Sequence, residues 1–336
     1  MRCLVTGATG FIGNRLVREL LNRQMQVHVL VRSENKLPAD IREKATVFCG
    51  DITNQAAVDS AAKSCESVFH LAGFAGIWSK DKTIPYRTNV EGTKNILDAA
   101  VKHRVKKVVF TSSAATLPAS EQGGLIDESS PLPDTYFTEY EQTKREAEQI
   151  CMDYCSKGVD TVIVNPTRVF GPGLLNKSNS VTILIKKYIG GNWRFIPSDG
   201  NQLGNYVFIN DVVDGHIRAL KRGSPGEKYI LGGTNVSYNE LFNTIGEVWG
   251  KKYKLFHLPG TVMSAFATFE LFCAENFGKP PLITPPWVKR YNQNRPVSSH
   301  KAIRELGYSV TPLPEGIEKT ILWLISNEEI YGKNIS

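Results

Sequence analysis

The sequence predicts an α/β fold in which a doubly wound parallel sheet is followed by a smaller C-terminal α/β lobe. Two observations support this prediction. A glycine-rich turn follows the first apolar run, and apolar runs then alternate with amphipathic helical segments through the first half of the chain. The predicted strands are 2–5, 26–31, 45–49, 67–72, 107–112 and 161–164, and the predicted helices are 13–22, 54–63, 88–103 and 136–157. This alternation is typical of a Rossmann-type domain.

The sequence pattern changes after Pro166, where glycines and prolines cluster and helical patterns become less regular. We therefore predict a nucleotide-binding domain over 1–166 and a substrate-binding lobe over 167–336. The segment 206–222 is expected to return to the first domain. The substrate lobe is expected to close over the nicotinamide end of a bound cofactor.

The composition of the 336 residues, with 41% hydrophobic and 22% charged, is that of an ordinary soluble globular protein. The net charge of +7 is spread along the chain, and no zinc-ligand spacing or helix-turn-helix pattern is evident. We therefore expect a small-molecule substrate, and neither nucleic acid nor metal as a ligand. The apolar segment 261–273 is shorter than the roughly 20 residues that span a bilayer, and Glu270 interrupts it, so we expect no stable membrane insertion. A buried or pocket-lining helix is predicted there, with a membrane-surface helix as the alternative.

The chain enters its first strand at residue 2, so no leader segment is expected. The cysteines at 3, 49, 65, 151, 155 and 273 show no paired framework. Unpaired cysteines indicate a reducing compartment, and we expect a cytoplasmic protein.

The glycine-rich turn is the strongest candidate binding site. Gly7 lets the chain turn off the strand, Gly10 lets the backbone approach a pyrophosphate, and Gly13 lets the following helix pack against the sheet. The start of that helix offers free N–H groups and a partial positive charge to phosphate. The other residues of this predicted site are Thr9, Phe11 and Ile12. An ordinary tight turn between strand and helix is the alternative.

The end of the second strand predicts which cofactor binds. An acidic residue there would accept hydrogen bonds from the ribose of NAD, but the chain has Arg32, followed by Ser33 and Lys36. A guanidinium suits the 2′-phosphate of NADP, so we predict NADP(H) as the preferred cofactor, with NAD(H) as the alternative. A solvated surface arginine is the structural alternative. Asp51, next to Ile52 after the third strand, is a candidate acceptor for the adenine amino group or a helix cap.

A second group of residues predicts proton transfer. Tyr140 and Lys144 lie one turn apart on a predicted helix, and Ser113 follows a buried strand at the edge where parallel sheets hold ligands. We expect the Lys144 ammonium to lower the pKa of Tyr140 and to reach the nicotinamide ribose. Ser113 would hold the substrate oxygen while Tyr140 exchanges its proton. Phe74, Trp78, Phe137 and Phe170 are the predicted substrate-pocket aromatics, with core packing as the alternative for each.

Taken together, these motifs resemble the extended short-chain dehydrogenase/reductase superfamily, also called the NAD(P)-dependent epimerase/dehydratase superfamily. The resemblance implies that Ser113, Tyr140 and Lys144 form a catalytic triad and that Asn89 braces the triad helix. It also implies that Leu71 and Ala72 line the adenosine-pyrophosphate groove, that Pro166 precedes the nicotinamide pocket, and that helices 88–103 and 136–157 can form a homodimer. The matching segments are 6–13, Asp51, 70–73, 89–93, Ser113, 140–144, 165–172 and 304–308.

The branch of this superfamily is indicated by two departures from nucleotide-sugar enzymes. Gly204 stands where those enzymes carry an arginine that clamps a diphosphate, although Arg295 could partly substitute for it. The segment 259–286 resembles the apolar substrate-lobe helix of dihydroflavonol-4-reductase-like and 3β-hydroxysteroid-dehydrogenase-like members. We therefore expect an NADP(H)-dependent oxidoreductase that reduces a ketone or aldehyde, or oxidises the alcohol, of a hydrophobic or aromatic compound. The alternatives are an NAD(P)-dependent nucleotide-sugar epimerase or dehydratase, and a non-catalytic cofactor sensor.

Overall fold

The computed structural model describes residues 1–120 and 123–327. A seven-stranded parallel sheet forms the centre of the described chain. The strands in chain order are β1 (Arg2–Thr6), β2 (Gln26–Val31), β3 (Thr46–Cys49), β4 (Ser67–His70), β5 (Lys107–Thr111), β6 (Asp160–Pro166), β7 (Arg168–Phe170), β8 (Phe195–Pro197), β9 (Leu203–Phe208), β10 (Lys228–Leu231), β11 (Thr234–Ser237) and β12 (Phe256–Leu258). The large sheet has the order β3-β2-β1-β4-β5-β6-β10. The order reverses beside β1, and the crevice at such a point is where doubly wound sheets bind ligands.

The α-helices cover this sheet and build the second lobe. They are α1 (Phe11–Asn22), α2 (Ala39–Arg42), α3 (Gln55–Ala62), α4 (Ile84–Tyr86), α5 (Gly92–Lys102), α6 (Glu139–Cys155), α7 (Ser180–Ile189), α8 (Ile209–Arg222), α9 (Tyr238–Trp249), α10 (Gly260–Phe277), α11 (Pro285–Tyr291) and α12 (Leu313–Ser326). Short 3₁₀ turns occupy Glu34–Lys36, Ala114–Thr116 and Lys177–Asn179, and π-helical turns occupy Arg87–Glu91 and Ala302–Leu306.

The six strands predicted in the first half are all present, and the predicted α/β class is confirmed. The large sheet is buried on both faces because neighbouring side chains such as Leu4 and Val5 enter different apolar clusters. That arrangement explains the near-continuous apolar runs of the sequence.

All four predicted helices have somewhat different bounds in the structure, by one or two residues in α1 and α3 and by more in the other two. The predicted helix 88–103 is a continuation of α4 through a π-helical turn into α5, so the helical backbone begins at Ile84. The predicted helix 136–157 begins at Glu139, because Thr138 caps it. The Thr138 hydroxyl accepts from the Glu141 N–H, and the Glu141 carboxylate accepts from the Thr138 N–H, which is a complete capping box.

The second lobe contains two small sheets. In one, β9 pairs with β7 in parallel and with β11 antiparallel, and in the other β8 pairs with β12. The helix α8, which follows β9, packs against α1, β5 and β6 of the first half of the chain. The chain therefore crosses between the two halves more than once, and β7 and β9 lie next to the carboxyl edge of the large sheet.

The helix α10 differs from the buried or pocket-lining helix that we expected. Only Ala267 and Ala274 of this helix are buried, while Phe266, Phe269 and Phe272 are each about half exposed or more. Within 1–120 and 123–327, no helix combines the length and apolar character that crossing a membrane requires. All six cysteines are unpaired.

Candidate functional site

The glycine turn has no space for side chains. Gly7 has φ +75°, and a Cβ there would lie 2.7 Å from the Ala72 nitrogen at the end of β4. A Cβ on Gly13 would lie 2.2 Å from the Gly7 carbonyl oxygen, so α1 packs directly on the turn. At Gly10 the same test gives 3.1 Å to the Gly7 oxygen. Close packing of the turn therefore depends most on Gly7 and Gly13.

The N-terminus of α1 can receive an anion. Its N-cap is Gly10, and no side chain of the described residues caps the free N–H groups of the first turn. The Phe11 side chain points into the core and touches Gly173, so only the backbone of Phe11 can face a ligand. Thr9 and Ile12 are partly exposed beside it. An uncapped helix start behind a glycine turn fits the pyrophosphate of a dinucleotide.

A buried hydrogen-bond chain leads from this turn towards α6, the helix that carries Tyr140 and Lys144. The Thr6 hydroxyl accepts from the Ala72 N–H at 3.1 Å and lies 2.7 Å from Nδ1 of His70, whose Nε2 lies 3.0 Å from the Thr93 hydroxyl. Thr93 donates its own proton to the Asn89 carbonyl, so its oxygen accepts from Nε2–H of His70. The bare Nδ1 then accepts from Thr6. Burial, reinforced by the nearby Lys144, lowers the pKa of His70 to about 3, so the ring is neutral.

Asn89 ties the same chain to α6. Its Oδ1 accepts from the Phe74 N–H at 2.7 Å, and its Nδ2 donates to the Phe74 carbonyl and to the Thr143 hydroxyl, at 3.0 and 2.9 Å. Thr143 immediately precedes Lys144 on α6. The brace that the resemblance implied for Asn89 thus has the contacts it needs.

At the predicted binding site for the adenosine end of the cofactor, two cationic side chains have no ion-pair partner in the described part of the chain. They are Arg32 and Lys36, and both are exposed. Asp51 accepts from the N–H and the hydroxyl of Thr53, both at 2.9 Å, and Asn54 caps α3 in place of Asp51. The Ile52 side chain is buried against Gly92, so contact with a nucleotide is limited there. Leu71 and Ala72 are partly exposed at the end of β4, and Pro166 ends β6 in a buried position.

Ser113 is held at the end of β5 by its own backbone contacts. Its hydroxyl accepts from the Ala115 N–H at 3.1 Å, and its carbonyl accepts from Nδ2 of Asn165 at 3.0 Å. The buried carboxylate of Glu148 accepts from Ser112 and from Asn165, and forms a 2.7 Å ion pair with Lys228. Burial alone raises the pKa of Glu148, but Lys228 and these hydrogen bonds outweigh it and hold the pKa below its usual value. The strand end is therefore fixed by polar contacts on several sides.

Lys144 is buried behind the predicted catalytic tyrosine. Its Nζ donates to the Thr111 carbonyl at 2.8 Å and lies 4.8 Å from the centre of the Phe110 ring. A Cβ on Gly73 would lie 3.1 Å from this nitrogen, so the β4 loop packs on the ammonium group. Burial lowers the pKa of Lys144 to about 8.

The pKa of Tyr140 does not follow the expectation. We predicted that Lys144 would lower it, but burial of Tyr140 raises its pKa above the usual value, and a hydrogen bond with Ser113 only partly opposes this. The positive charge of Arg290 lowers the pKa of Tyr140, and the negative charge of Glu141 raises it. The contact between Tyr140 and Ser113 agrees with a joint role for the two hydroxyl groups.

The four aromatic residues predicted to line the substrate pocket lie in different environments in the structure. Phe170 is 2% exposed and packs against Phe208 and Gly316, so it belongs to the core and not to a substrate pocket. The backbone N–H of Phe74 donates a hydrogen bond to Asn89, which also contacts α6. Trp78 is partly buried, and the Lys82 ammonium lies 5.5 Å from the centre of its ring. Phe137 is exposed just before α6.

Two residues near the tyrosine, Trp287 and Arg290, were missed by sequence reasoning, and a third, Arg295, was given a different role. The Trp287 ring of α11 stacks on Tyr140 with centroids 6.4 Å apart, and Arg290 forms an ion pair with Glu141. Arg295 lies 3.6 Å from the same carboxylate and donates to the Leu117 carbonyl at 2.9 Å. Arg295 was noted, but only as a substitute for the missing arginine at Gly204. The basic pair Lys289–Arg290 after a tryptophan was the only available signal.

Gly204 has a neighbour that the sequence did not reveal. A Cβ on Gly204 would lie 2.6 Å from Nη1 of Arg168, whose guanidinium comes from the adjacent strand β7. Arg168 donates to the Tyr206 hydroxyl at 2.8 Å. A guanidinium is therefore present beside position 204, although the residue at 204 is glycine.

No group of three or more His, Cys, Asp or Glu side chains that could bind a metal is found in 1–120 and 123–327. The arrangement instead offers a serine hydroxyl, a phenol and an ammonium group at the end of a parallel sheet, next to a glycine turn that fits a dinucleotide. Such a set can hold an oxygen and move its proton.

Comparison with known proteins agrees with this geometry. The model of the NAD dependent epimerase/dehydratase family matches residues 3–232. A Synechocystis protein named "Putative dihydroflavonol 4-reductase" is 30% identical over 324 residues, which cover 95% of this chain and 93% of that protein. The 3beta-hydroxysteroid-dehydrogenase/decarboxylase isoform 1 of Arabidopsis thaliana is 29% identical, with 95% and 78% covered. The solved structure of gox2253 matches with a TM-score of 0.80 at 30% identity, covering 97% of this chain and 98% of that one.

This chain belongs to the NAD dependent epimerase/dehydratase family, within the extended short-chain dehydrogenase/reductases. The predicted resemblance is confirmed, including relatives named as dihydroflavonol reductase and 3β-hydroxysteroid dehydrogenase.

Proposed function

We propose that this protein is an NADP(H)-dependent oxidoreductase that interconverts a carbonyl group and an alcohol on a hydrophobic or aromatic small molecule. The observation that supports it most directly is the position of Ser113 and Tyr140 at the carboxyl edge of the sheet, close enough for the Ser113 hydroxyl to lower the pKa of Tyr140, with Lys144 buried one helical turn from Tyr140 on α6. The names of the two relatives support a substrate with an apolar body.

The protein side of the reaction follows from these contacts. Ser113 holds the substrate oxygen, and Tyr140 donates a proton to it in the reducing direction or accepts one in the oxidising direction. The nicotinamide, when bound, supplies or accepts the hydride. Lys144, with a pKa of about 8, carries a positive charge at neutral pH and can donate a hydrogen bond to a ribose hydroxyl.

The preference for NADP(H) is supported by the end of β2. Arg32 and Lys36 are exposed there, and the strand ends without an acidic residue. Two unpaired cationic side chains attract a 2′-phosphate, and the absence of a carboxylate removes the partner of an unphosphorylated ribose.

A nucleotide-sugar epimerase or dehydratase is the second candidate, because one specific observation favours it. Arg168 places a guanidinium beside Gly204, where the loss of an arginine had counted against a diphosphate. In that reaction the cofactor would be reoxidised within each turnover, and no net NADPH would be consumed.

Calorimetry of NADPH and NADH binding tests the proposal, after bound nucleotide has been extracted from the purified protein. We expect NADPH to bind at least tenfold more tightly, which is about 1.4 kcal/mol, and to exchange freely. Net NADPH oxidation with a panel of aromatic ketones and aldehydes then completes the test. Tightly retained NAD without net oxidation would instead support the epimerase.

A further inference from the structure

The substrate lobe carries an excess of positive charge beside the catalytic tyrosine. Arg168, Arg290 and Arg295 lie close enough together that the other two both act on the titration of Arg295. Glu141 is the carboxylate that pairs with Arg290 and Arg295. Arg168 has no ion-pair partner among the described residues.

Both carboxylate oxygens of Glu141 already have other partners, so Glu141 does not pair with Arg168. Its Oε2 accepts from the N–H and hydroxyl of Thr138 and from the N–H of Phe137, at 3.0 to 3.1 Å. Its Oε1 faces Arg290 and Arg295. One negative charge therefore serves two guanidiniums and a helix start, and the positive charge of Arg168 is not compensated.

Arg168 is surrounded by neutral aromatic rings. Its guanidinium lies 5.3, 5.3 and 5.9 Å from the ring centres of Tyr206, Tyr238 and Tyr291. Burial raises the pKa of Tyr206 to about 12, so this phenol is neutral near pH 7 and supplies no counter-charge. Aromatic faces hold a cation in place, but they leave its remaining N–H donors for a ligand.

The aromatic rings connect this cation to the reacting centre. Tyr140 stacks on Trp287, Trp287 lies 5.8 Å from Tyr291, and Tyr291 faces Arg168. Near the same place, Nε of Arg295 is buried and has no hydrogen-bond partner in the described chain. The backbone N–H of Arg295 donates to the Leu203 carbonyl, next to Gly204, and the charge of Arg168 acts on the pKa of Arg295, so the two arginines lie near each other.

We propose that Arg168, assisted by Arg295, binds an oxyanion carried by the substrate, so that the substrate is a carbonyl or hydroxy compound with a carboxylate or phosphate at the far end of an apolar body. The oxygen to be reduced lies at Tyr140, the body along Trp287 and Tyr291, and the anion at Arg168. A Cβ at position 204 would lie 2.6 Å from Nη1 of Arg168, so a larger residue there would shift the guanidinium. This inference rests on the proposed oxidoreductase function.

Calorimetry on the NADP-saturated protein tests this site with three aromatic ketones: 4-acetylbenzoate, its methyl ester and 4-acetylphenyl phosphate. We expect at least one anionic probe to bind tenfold or more tightly than the ester. The tighter of the two anions identifies a carboxylate or a phosphate. Arg168→Met should remove this advantage and leave ester binding and NADP affinity unchanged.

The matched control is Arg194→Met. Arg194 belongs to the same lobe and lies 4.2 Å from the Tyr253 ring centre, outside the row that leads to Tyr140. It should leave all three affinities unchanged. If Arg168→Met fails to bind NADP, Tyr206→Phe replaces it, because it removes only the hydroxyl that holds the guanidinium.

Equal binding of ester and anions, or an unchanged anion affinity in the Arg168 variant, overturns the anion site and leaves the oxidoreductase proposal standing if NADPH binds as expected. Loss of NADPH preference overturns the proposed function instead. Uridine diphosphate-glucose is the last probe. Tight binding of it that depends on Arg168 would retain the anion site and assign the chain to nucleotide-sugar chemistry.

A second and independent observation concerns α10. Its exposed residues Val262, Phe266, Phe269 and Phe277 recur at intervals of three, four and eight and form one stripe, with Phe272 beside it. The buried residues Ala267 and Ala274 lie on another face. Leu282, just after the helix, is 78% exposed. Such a stripe on a monomer indicates an interaction surface.

The charge around this stripe is positive. The segment 251–291 has six basic and two acidic residues. The basic residues are Lys251, Lys252, Lys254, Lys279, Lys289 and Arg290, and the acidic ones are Glu270 and Glu275. Arg290 is paired with Glu141 and Lys252 with Glu247, which leaves four lysines of this segment without an ion-pair partner in the described chain. Exposed lysines therefore stand on the chain before and after the aromatic helix. A stripe of phenylalanines between lysines is complementary to an anionic lipid surface.

We infer that α10 docks this protein on an anionic bilayer surface, with its phenylalanines at the level of the headgroups. Co-sedimentation is measured with phosphatidylcholine vesicles, with and without about 30% phosphatidylglycerol. We expect binding to the anionic vesicles that weakens with salt. The double variant Phe269→Ser/Phe272→Ser should lose it, whereas Leu322→Ser, at a 58% exposed position on α12, should not.

Two results would overturn the proposal that α10 docks on an anionic bilayer. One is absence of wild-type protein from the pellet with anionic vesicles. The other is a wild-type dimer, seen by analytical ultracentrifugation, that dissociates in the double variant, since a second copy would then be what covers α10.

Discussion

Tyr140 is the residue whose removal separates chemistry from binding. Tyr140→Phe deletes only the hydroxyl that we propose exchanges the proton, so we expect turnover to fall by roughly 10²–10⁴-fold while NADPH affinity is retained. Steady-state NADPH oxidation and calorimetry measure the two quantities. Tyr136→Phe is the matched control, because its hydroxyl donates to the Thr116 carbonyl nearby at 3.3 Å. An active Tyr140→Phe enzyme would remove the tyrosine from the mechanism.

Arg32 should determine which nucleotide binds. Arg32→Asp places a carboxylate where a ribose hydroxyl could donate to it and a 2′-phosphate would be repelled. We expect the preference between NADPH and NADH to move by tenfold or more, about 1.4 kcal/mol, towards NADH. Arg42→Asp, with the same charge change at an exposed position at the end of α2, should leave the ratio unchanged. The same ratio in both variants would exclude Arg32 from the phosphate site.

At the scale of elements, we predict that different glycines of the turn between β1 and α1 serve packing and nucleotide binding. Gly13→Ala places a methyl group 2.2 Å from the Gly7 oxygen, and we expect it to lower the free energy of unfolding by about 1–3 kcal/mol. Gly10 has φ −86° and ψ 171°, which alanine adopts, so Gly10→Ala should change stability much less.

Urea denaturation and NADPH calorimetry of these two alanine variants distinguish their roles. The stability loss should be confined mainly to Gly13→Ala, and Gly10→Ala should weaken nucleotide binding in a folded protein. Equal losses of stability would show that the second glycine also serves packing.

Elements of the first half could be predicted because their signals are local. A strand, three glycines and a helix follow one another within 22 residues, and Thr138 with Glu141 marks the start of α6. The predicted helix 136–157 nevertheless began three residues too early, because its pattern of apolar residues extends past the cap. The exposure of α10 could not be predicted, since an apolar helix has the same sequence whether or not another element covers it.

At the scale of the whole molecule, the candidate site is assembled from distant parts of the chain. Ser113 and Tyr140 follow strands and helices that the sequence pattern identifies, whereas Trp287 and Arg290 reach them from α11, about 150 residues later. Arg168 meets Gly204 only because β7 and β9 pair in a separate small sheet. No local pattern encodes these contacts, which is why the titration of Tyr140 and the role of Arg168 were not predicted.

The same large sheet buries two histidines on opposite sides of β5, and these should make the whole protein sensitive to acid. Burial lowers the pKa of His70 to about 3 and that of His216 to about 4, from an ordinary value of 6.5. His216 is neutral, since its Nδ1–H donates to the Val212 carbonyl and its Nε2 accepts from Thr111.

Between pH 6.5 and about 4, the unfolded chain therefore binds two protons that the folded protein does not. The free energy of unfolding should fall with decreasing pH, by up to about 1.4 kcal/mol per pH unit for each histidine. Urea denaturation at pH 5, 5.5 and 6 measures this slope. The measurements stay at pH 5 or above because burial raises the pKa values of Glu128 and Asp211. At lower pH these two carboxyl groups bind protons more readily in the folded protein, which raises the free energy of unfolding as the pH falls. His70→Gln and His216→Gln should each reduce the slope by about one proton, even though each lowers stability at pH 7. A slope unchanged by both substitutions would show that other groups control acid unfolding.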